Sequence, residues 1–525
     1  MADIIGNQTL RDLWENTACC HDTKTFLIFQ NRDGAVCEYS YQQFNDEINK
    51  TANLFLHCGI RKGDRVAVQL CSSPEFMMCL FGLAKIGAVT VPLNDQGCLS
   101  ESQYALEKCQ VQMAVVEERF VADYRALQRE YDLLPLGLMV ARSTRCLEDA
   151  LNFNLLKDEQ PTLLKQICAL ESEDAAEILF TSGTTSYPKG VVLTHCNLLY
   201  AGVYGVWQVS LRNDDRLLST MPACHSNFQL AALMPVIVAA ATLIVVERYS
   251  ARNFWRQLCS YEATVTQCVS MMVRTLLLQP VQPDERRHHI REILYFLPLS
   301  DAEKQAFEQR FAVRLMNSYG STESVTWVIT DPPTGERRWP SVGRAGLGYE
   351  IKIVDDAGLE LPPHAIGEIW IKGVPGRTLM QGYYKDQEET ARTLNTDGWM
   401  RTGDKGYVDE DGWFFFVDRN VNLIKRAGEN ISTTEIETLL ATHPAIAEAA
   451  VIGVPDLIRD EAVKVFIVPA EGASITQDEV LEYCREHLAA YKVPSYVEIR
   501  AELPHTSSMK IEKKVLRKEQ APQTI

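Results

Sequence analysis

One stretch of ten residues, 181–190, combines hydroxyl groups, glycines and a lysine in a form suited to binding phosphate. Glycine lets the backbone approach an anion closely, hydroxyl groups donate hydrogen bonds to its oxygens, and lysine supplies a positive charge. The residues expected to contact phosphate are Thr181, Ser182, Gly183, Thr184, Thr185 and Lys189. A nucleotide such as ATP is therefore the first candidate ligand. An ordinary polar turn is the alternative, because short motifs have false positives.

This stretch differs from a Walker P-loop, in which the lysine is followed by serine or threonine at the start of a helix. Here Lys189 is followed by Gly190 and by the run VVLT at 191–194, which is typical of a strand. Residues 176–180, with the sequence AEILF, also predict a strand. The loop is thus predicted to connect two strands rather than a strand and a helix.

The N-terminal part of the chain alternates predicted strands with predicted helices. Residues 65–70 and 88–92 predict strands, and the apolar residues 74–86 between them predict a helix. The same alternation returns with a strand at 264–268 and a helix at 271–278. Strands that alternate with helices form parallel sheets covered by helices, so the predicted fold class is α/β.

The pattern changes twice further along the chain. From about 335 to 418, glycine-rich turns separate short predicted strands, which is typical of a β-rich subdomain. After residue 418 comes a compact α+β unit with helices predicted at 433–442 and 476–489. We therefore predict an N-terminal domain of residues 1–418 and a C-terminal domain of residues 419–525.

The composition of the 525 residues, 46% apolar and 23% charged, is that of a soluble globular protein. The net charge of -17 argues against a general affinity for nucleic acid or anionic lipid. The longest apolar run, 230–246, contains Pro235 and is shorter than the roughly 20 residues of a membrane span, so it predicts a buried helix followed by a buried strand. Fifteen cysteines without C-x-x-C spacing, and no predicted secretory signal, indicate the reducing cytoplasm. The oligomeric state stays open.

Six motifs resemble, in their types and order, those of the adenylate-forming enzymes of the acyl-CoA synthetase superfamily. They are the loop at 181–190, MPACH at 221–225, YGSTE at 319–323, GEIWIKG at 367–373, DGWMRTGD at 397–404, and DR at 418–419 leading into IKRAG at 424–428. Members of this superfamily activate a carboxylate with ATP to an acyl-adenylate and pyrophosphate, and then pass the acyl group to the thiol of coenzyme A. The resemblance implies a large N-terminal domain of two parallel-type sheets with helices, and a small mobile C-terminal domain.

The resemblance assigns nucleotide contacts to several residues. Tyr319 would lie against adenine, Thr322 would contact phosphate, and Glu323 would hold Mg²⁺, for which a carboxylate is a suitable hard ligand. Asp404 would accept hydrogen bonds from the ribose hydroxyls, and Arg419 would reach the same nucleotide from the domain boundary. Without the resemblance, a solvated glutamate, a turn aspartate and a linker arginine are the ordinary interpretations.

The resemblance also assigns residues to the acid and to coenzyme A. Lys510 would stabilise the transition state of adenylate formation by its charge. Gly428 would turn toward the pantetheine channel, where only glycine permits a close approach, and His225 would gate or orient the acid. A solvated tail lysine and a structural histidine are the alternatives. Met509 and Val421 depart from the family pattern, which normally has a glycine and a charged hinge residue there, so a catalytically weak nucleotide-binding protein stays open as an interpretation.

Within the superfamily the sequence is most similar to the crotonobetaine/carnitine–CoA ligases, through runs such as AEILFTSGTT at 176–185 and RRWPS at 337–341. This similarity implies carnitine, crotonobetaine or γ-butyrobetaine as the acid. Aromatic faces bind a trimethylammonium group with about 0.5–2 kcal/mol each. The candidate aromatic residues are Tyr204, Trp207, Phe228, Tyr295 and Phe296. The alternative is a ligase of short- or medium-chain carboxylates, since bulky residues at 295–300 indicate a short acid.

Overall fold

The structure is a computed structural model that describes residues 3–143, 145, 150–181, 188–296, 299–419, 423–470, 472–504 and 511–520. Some sequence-predicted residues lie outside this description, namely Ser182, Gly183, Thr184, Thr185, Val421, Met509 and Lys510, together with the side chain of Arg419. All other predicted site residues have described positions.

The hairpin that carries the predicted phosphate loop belongs to a sheet that has eight strands among the described residues. In spatial order these are Gly382–Tyr383, Lys189–Thr194, Ala175–Thr181, Val89–Pro92, Arg65–Gln69, Met113–Glu117, Leu138–Ala141 and Leu151–Asn152. The strands from Ala175–Thr181 onward are parallel, and Lys189–Thr194 runs antiparallel to both its neighbours. The prediction that the loop joins two strands is therefore confirmed.

A second sheet has nine strands in the part of the chain that the structure describes. Their order is Arg344–Ala345, Ile329–Thr330, Leu315–Tyr319, Glu292–Phe296, Val265–Val269, Arg216–Ser219, Thr242–Val246, Thr25–Gln30 and Val36–Ser40. The central strands are parallel and buried, as expected for near-continuous apolar runs covered on both faces. These two sheets bear out the predicted α/β class.

Helices fill the connections between the strands of the two sheets. They span Leu10–Cys20, Tyr41–His57, Pro74–Lys85, Leu99–Cys109, Val121–Tyr131, Phe153–Asp158, His195–Gln208, Ser226–Phe228, Met234–Ala239, Phe254–Ser260, Ser270–Leu277, Asp301–Phe311 and Gln387–Thr393, with a 3-10 turn at Glu118–Phe120 and a π-helical turn at Gln229–Leu233. The apolar run 230–246 forms a buried helical segment and the buried strand Thr242–Val246, as predicted. Where helices are described, they are too short or too polar to cross a membrane.

Two smaller units complete the chain. The strands Glu350–Val354, Gly367–Lys372, Trp399–Val408 and Phe414–Arg419 form an antiparallel sheet in the region predicted to be β-rich. Beyond it, the strands Leu423–Arg426, Glu429–Ser432, Ile446–Asp456, Asp460–Pro469 and Tyr496–Ile499 form one sheet with the helices Thr433–Leu440, Gln477–His487 and Lys513–Gln520. Two apolar clusters of the core contain only residues from 424 onward, and two others only residues up to 414.

Candidate active site

A cavity of about 320 Å³ lies where the two large sheets meet the C-terminal unit. It gathers six of the predicted site residues: Thr181, His225, Thr322, Glu323, Asp404 and Gly428. Thr181 is the last residue of its strand, and Val269 and Phe296, which also line the cavity, end two parallel strands of the second sheet. The cavity thus lies beyond the carboxyl ends of parallel strands, which is where ligands bind in open α/β sheets.

Glu323 presents a carboxylate to the cavity and is held by two hydroxyl groups. The Thr181 hydroxyl donates to its Oε1 at 3.4 Å, and the Tyr383 hydroxyl donates to the same oxygen at 3.1 Å. Burial, and then the nearby Glu323 charge, raise the pKa of Tyr383, so this hydroxyl remains a donor at neutral pH. A carboxylate and a threonine hydroxyl are oxygen ligands of the kind that Mg²⁺ prefers, so these residues fit the ion.

Tyr319 and Asp404 come from different sheets and are in contact, and Asp404 lines the cavity. The Tyr319 hydroxyl donates to Asp404 Oδ2 at 2.6 Å, and the Tyr319 ring lies 6.0 Å from that of Phe416. Asp404 is buried, and its backbone pairs with that of Arg419 on the neighbouring strand. The three residues predicted to contact nucleoside are therefore close together in the fold, although they are far apart in sequence.

The amino group of Lys189 contacts residues of the region predicted to be β-rich rather than the cavity. It forms an ion pair with Glu389 and lies 5.2 Å from the centre of the Tyr383 ring. Its neighbour Pro188 lines the cavity, whereas Lys189 is absent from the lining in the described part of the chain. Tyr383 thus lies between this cation and the Glu323 carboxylate.

His225 forms an ion pair with Glu429, which belongs to the C-terminal unit. Nε2 of His225 lies 3.1 Å from both carboxylate oxygens of Glu429. The Glu429 charge raises the pKa of His225 above its ordinary value. Burial raises the pKa of Glu429, but the charge of His225, the hydrogen bond with His225 and the Lys492 charge together outweigh burial and lower that pKa. The ion pair therefore connects the N-terminal wall of the cavity, at His225, to the C-terminal unit, at Glu429.

Gly428 reaches the cavity because it occupies a tight hairpin turn. Ala427 and Gly428 connect the strands Leu423–Arg426 and Glu429–Ser432 and have φ angles of +52° and +94°. Positive φ at both central residues is the pattern of a type I′ turn, in which glycine is favoured. A methyl group at Gly428 would lie 3.8 Å from Cγ1 of Val269, so the turn brings backbone against the wall of the cavity.

The aromatic lining of the cavity differs from the sequence prediction. Phe296 lines it, and Trp327 lies beside Phe296 with ring centroids 4.6 Å apart. The other candidates, Tyr204, Trp207, Phe228 and Tyr295, do not line the cavity among the described residues, and we correct the prediction accordingly. The reason is packing: three of these four are fully buried core residues, and Trp207 packs on Tyr204 outside the cavity.

Sequence reasoning missed several residues of the site. Trp327, Glu429, Tyr383, Lys492 and Glu101 were not predicted, although four of them line the cavity and Tyr383 supports Glu323. Lys492 is buried, forms an ion pair with Glu101 of the N-terminal domain, and contacts Glu435 at 2.8 Å. Only Glu429, adjacent to Gly428 in a motif, carried a usable signal; the others are brought to the site by tertiary folding.

Comparison with known proteins agrees with this geometry. Residues 14–384 match the family described as AMP-binding enzyme, and residues 435–510 match the AMP-binding enzyme C-terminal domain. The crotonobetaine/carnitine–CoA ligase of Salmonella agona (strain SL483) is 48% identical over 517 residues, which cover 98% of this chain and 100% of that protein.

Two solved structures cover almost the whole chain. A double mutant of o-succinylbenzoate CoA synthetase from Bacillus subtilis, bound with its product analogue OSB-NCoA, is 25% identical with a TM-score of 0.85, covering 98% of this chain and 99% of that one. ATP-bound MatB from Rhodopseudomonas palustris is 26% identical with a TM-score of 0.71, at the same two coverages.

The fold and the site define an AMP-forming acid–thiol ligase, as the motifs predicted. The chain belongs to the AMP-binding enzyme family. Its co-substrates are ATP and coenzyme A, and its metal ion is Mg²⁺.

Proposed function

We propose that this ligase joins coenzyme A to an acid that carries a trimethylammonium group, namely carnitine, crotonobetaine or γ-butyrobetaine. The observation that carries this proposal is the pair of rings at the cavity wall, Phe296 and Trp327. Aromatic faces attract a quaternary ammonium group, which cannot donate hydrogen bonds. The 48% identical ligase from Salmonella agona, named for crotonobetaine and carnitine, supports the same acid.

The first half-reaction uses the groups around Glu323. When bound, Mg²⁺ neutralises phosphate charge during attack of the carboxylate on the α-phosphorus. Glu323 holds the ion, Thr322 contacts phosphate, and Asp404 accepts hydrogen bonds from ribose while Tyr319 packs on adenine. Further phosphate contacts come from the loop, through Thr181, Ser182, Gly183, Thr184 and Thr185, and from Lys189 once it leaves its ion pair with Glu389. Lys510 stabilises the developing charge, and Arg419 reaches the nucleotide from the domain boundary.

The second half-reaction uses the arrangement in which the C-terminal domain closes the cavity. His225 and Gly428 lie at the acyl site, where the thiol must attack the adenylate carbonyl, and Glu429 holds His225 by an ion pair. The higher TM-score to the structure with a CoA-product analogue, 0.85 against 0.71 for the ATP-bound one, supports this arrangement because identity and coverage are nearly equal.

We also propose that the C-terminal domain begins at residue 419 and that the protein is located in the cytoplasm. A C-terminal domain that begins at residue 419 is supported by apolar clusters that do not mix residues from the two sides. Cytoplasmic location is supported by the cysteines, because all fourteen within the described residues are free thiols. The net charge of -17 supports small-molecule partners rather than nucleic acid.

A panel of acids tests the proposal. The enzyme is given ATP, Mg²⁺ and coenzyme A with L-carnitine, crotonobetaine, γ-butyrobetaine or butyrate, and AMP and acyl-CoA are quantified. We expect a betaine acid to have the highest kcat/KM. Butyrate as the best acid would instead support a short-chain carboxylate ligase, and ATP binding without turnover of any acid would support the catalytically weak alternative.

Variants of Phe296 and Trp327 test whether these two rings bind the trimethylammonium group. Phe296→Leu and Trp327→Leu should each lower kcat/KM for the betaine acid about tenfold relative to butyrate, because one ring is worth about 0.5–2 kcal/mol. Trp207→Leu is the matched control, since this ring lies outside the cavity. Equal losses of kcat/KM for the betaine acid and for butyrate would show that Phe296 and Trp327 do not recognise the trimethylammonium group.

A further inference from the structure

Asn227 lines the same cavity as Thr322, Glu323 and Phe296. It belongs to the short helix Ser226–Phe228. Its neighbour Ser226 accepts a hydrogen bond from Thr322, the predicted phosphate residue, at 3.1 Å. Its side chain is held by Gln267, on the strand that ends in Val269, and Val269 pairs with Phe296 on the next strand. Asn227 is thus connected on one side, through Ser226, to Thr322, and on the other side, through Gln267, to the strand that pairs with Phe296.

A chain of buried hydrogen bonds holds the Asn227 side chain. The backbone N–H of Met221 donates to the Ser219 hydroxyl at 3.2 Å, and that hydroxyl donates to Gln267 Oε1 at 2.7 Å. Gln267 Nε2 then donates to the backbone carbonyl of Asn227 at 2.9 Å and to its Oδ1 at 2.8 Å. Ser219 and Gln267 are both 1% exposed.

The direction of these hydrogen bonds follows from the backbone carbonyl of Asn227, which cannot donate. A backbone carbonyl only accepts hydrogen bonds, so the Gln267 atom beside the Asn227 carbonyl must be the amide nitrogen. The Asn227 side-chain atom that shares this nitrogen must then be its oxygen, Oδ1. Nδ2 of Asn227 is left as a donor, and it donates no hydrogen bond to any described residue. The amide orientation thus rests on hydrogen-bond polarity.

We propose that Asn227 Nδ2 donates a hydrogen bond to an oxygen on the acyl chain, the C3 hydroxyl of carnitine, and so sets the preference for a hydroxylated acid. The inference rests on the proposed function. Gln267 is a positioning residue that acts by fixing Oδ1 of Asn227. Crotonobetaine and γ-butyrobetaine have no hydroxyl at C3 and leave this donor without an acid oxygen, which costs binding free energy in a partly buried site.

The test is the ratio of kcat/KM for L-carnitine to that for γ-butyrobetaine. Asn227→Ala should lower this ratio about tenfold, as expected for the loss of one hydrogen bond that the analogue does not make. Gln267→Leu should lower it in the same direction by releasing the amide. Ser226→Ala, the adjacent cavity residue, is the matched control and should change the ratio by less than about twofold. A ratio that Asn227→Ala leaves unchanged would overturn the inference, as would native enzyme that accepts γ-butyrobetaine but not carnitine.

A second pair of acids separates this inference from the proposed function. If the native enzyme activates no betaine acid, the proposed function has failed, and 3-hydroxybutyrate against butyrate then gives the ratio. A fall of this ratio in Asn227→Ala would still support hydroxyl recognition, and an unchanged ratio would overturn it. Turnover of the analogue without the hydroxyl reports that each variant is folded.

Discussion

The ion pair between His225 and Glu429 is lost both at high pH and at low pH. Because the pKa of His225 is raised, the imidazolium is present below that raised pKa and is lost as pH rises through it. Because the pKa of Glu429 is lowered, its carboxylate is lost only as pH falls through that lower pKa. The pair is complete between these two pKa values, and the attraction between the domains is greatest there.

The pKa of His225 reports whether this ion pair forms in solution. In Glu429→Gln the pKa of His225 should fall below its native value, since the Glu429 charge is the largest cause of the upward shift. Imidazole NMR titration of native enzyme and variant measures it, and the remaining nine of the ten histidines serve as internal controls. An unmoved titration of His225 would show that the two residues are not paired in solution.

Replacing Lys510 should affect the two half-reactions differently. Lys510→Ala should slow adenylate formation by at least about a hundredfold, because an electrostatic contact made in the transition state is worth about 3 kcal/mol. Transfer to coenzyme A from a supplied acyl-adenylate should continue. Lys518→Ala, an exposed lysine of the same terminal segment, is the control. Equal losses in both half-reactions would contradict the assignment.

Residues inside contiguous motifs were predictable, and residues assembled by folding were not. The motif around 319–323 indicated Glu323 and the motif ending at 404 indicated Asp404, and both line one cavity. Trp327 had no such signal, because an isolated tryptophan is ordinary core composition until the fold places it beside Phe296. For the same reason the sequence could not tell that Tyr204 and Tyr295 are buried away from the cavity.

At the scale of elements, apolar patterning was sufficient for nearly every strand and helix that was predicted. The hairpin of Ala175–Thr181 and Lys189–Thr194 followed from two apolar runs around a polar loop. The sequence could not show how the helix His195–Gln208 packs. Gly202 and Gly205 let it approach the segment of Met234–Ala239, a contact that no local pattern reveals.

Gly205 provides a test of this packing. A methyl group at Gly205 would overlap the ring of Pro235, so Gly205→Ala should lower the free energy of unfolding by about 1–3 kcal/mol. Thermal and denaturant unfolding measure the change. In the background Pro235→Ala, where the ring is gone, the same substitution should cost less. Equal costs in the two backgrounds would show that the helices do not meet at this glycine.

At the scale of the whole molecule, ion pairs fasten the C-terminal domain to the N-terminal domain. Besides His225 with Glu429, Lys492 pairs with Glu101, and Arg274 contacts Asp460 at 2.6 Å. The sequence could not predict these pairs, because they exist only when the domains are placed against each other. We propose that the other half-reaction uses an arrangement that lacks them.

Asp460→Asn tests whether these pairs select the closed arrangement. It should slow acyl transfer from a supplied adenylate about fivefold, since a partly exposed ion pair is worth about 1 kcal/mol, and leave adenylate formation unchanged. Glu498→Gln is the control, because its ion pairs with Lys464 and Arg500 lie within the C-terminal domain. A variant that slows both half-reactions equally would contradict a selective role.

The charge on the acid is the most direct test of the proposed function. γ-Butyrobetaine and 5,5-dimethylhexanoate have nearly the same shape, and only the first has a quaternary nitrogen in place of a carbon. We predict at least about tenfold higher kcat/KM for γ-butyrobetaine, because two aromatic faces attract the cation. Equal values, or a preference for 5,5-dimethylhexanoate, would contradict recognition of a betaine acid.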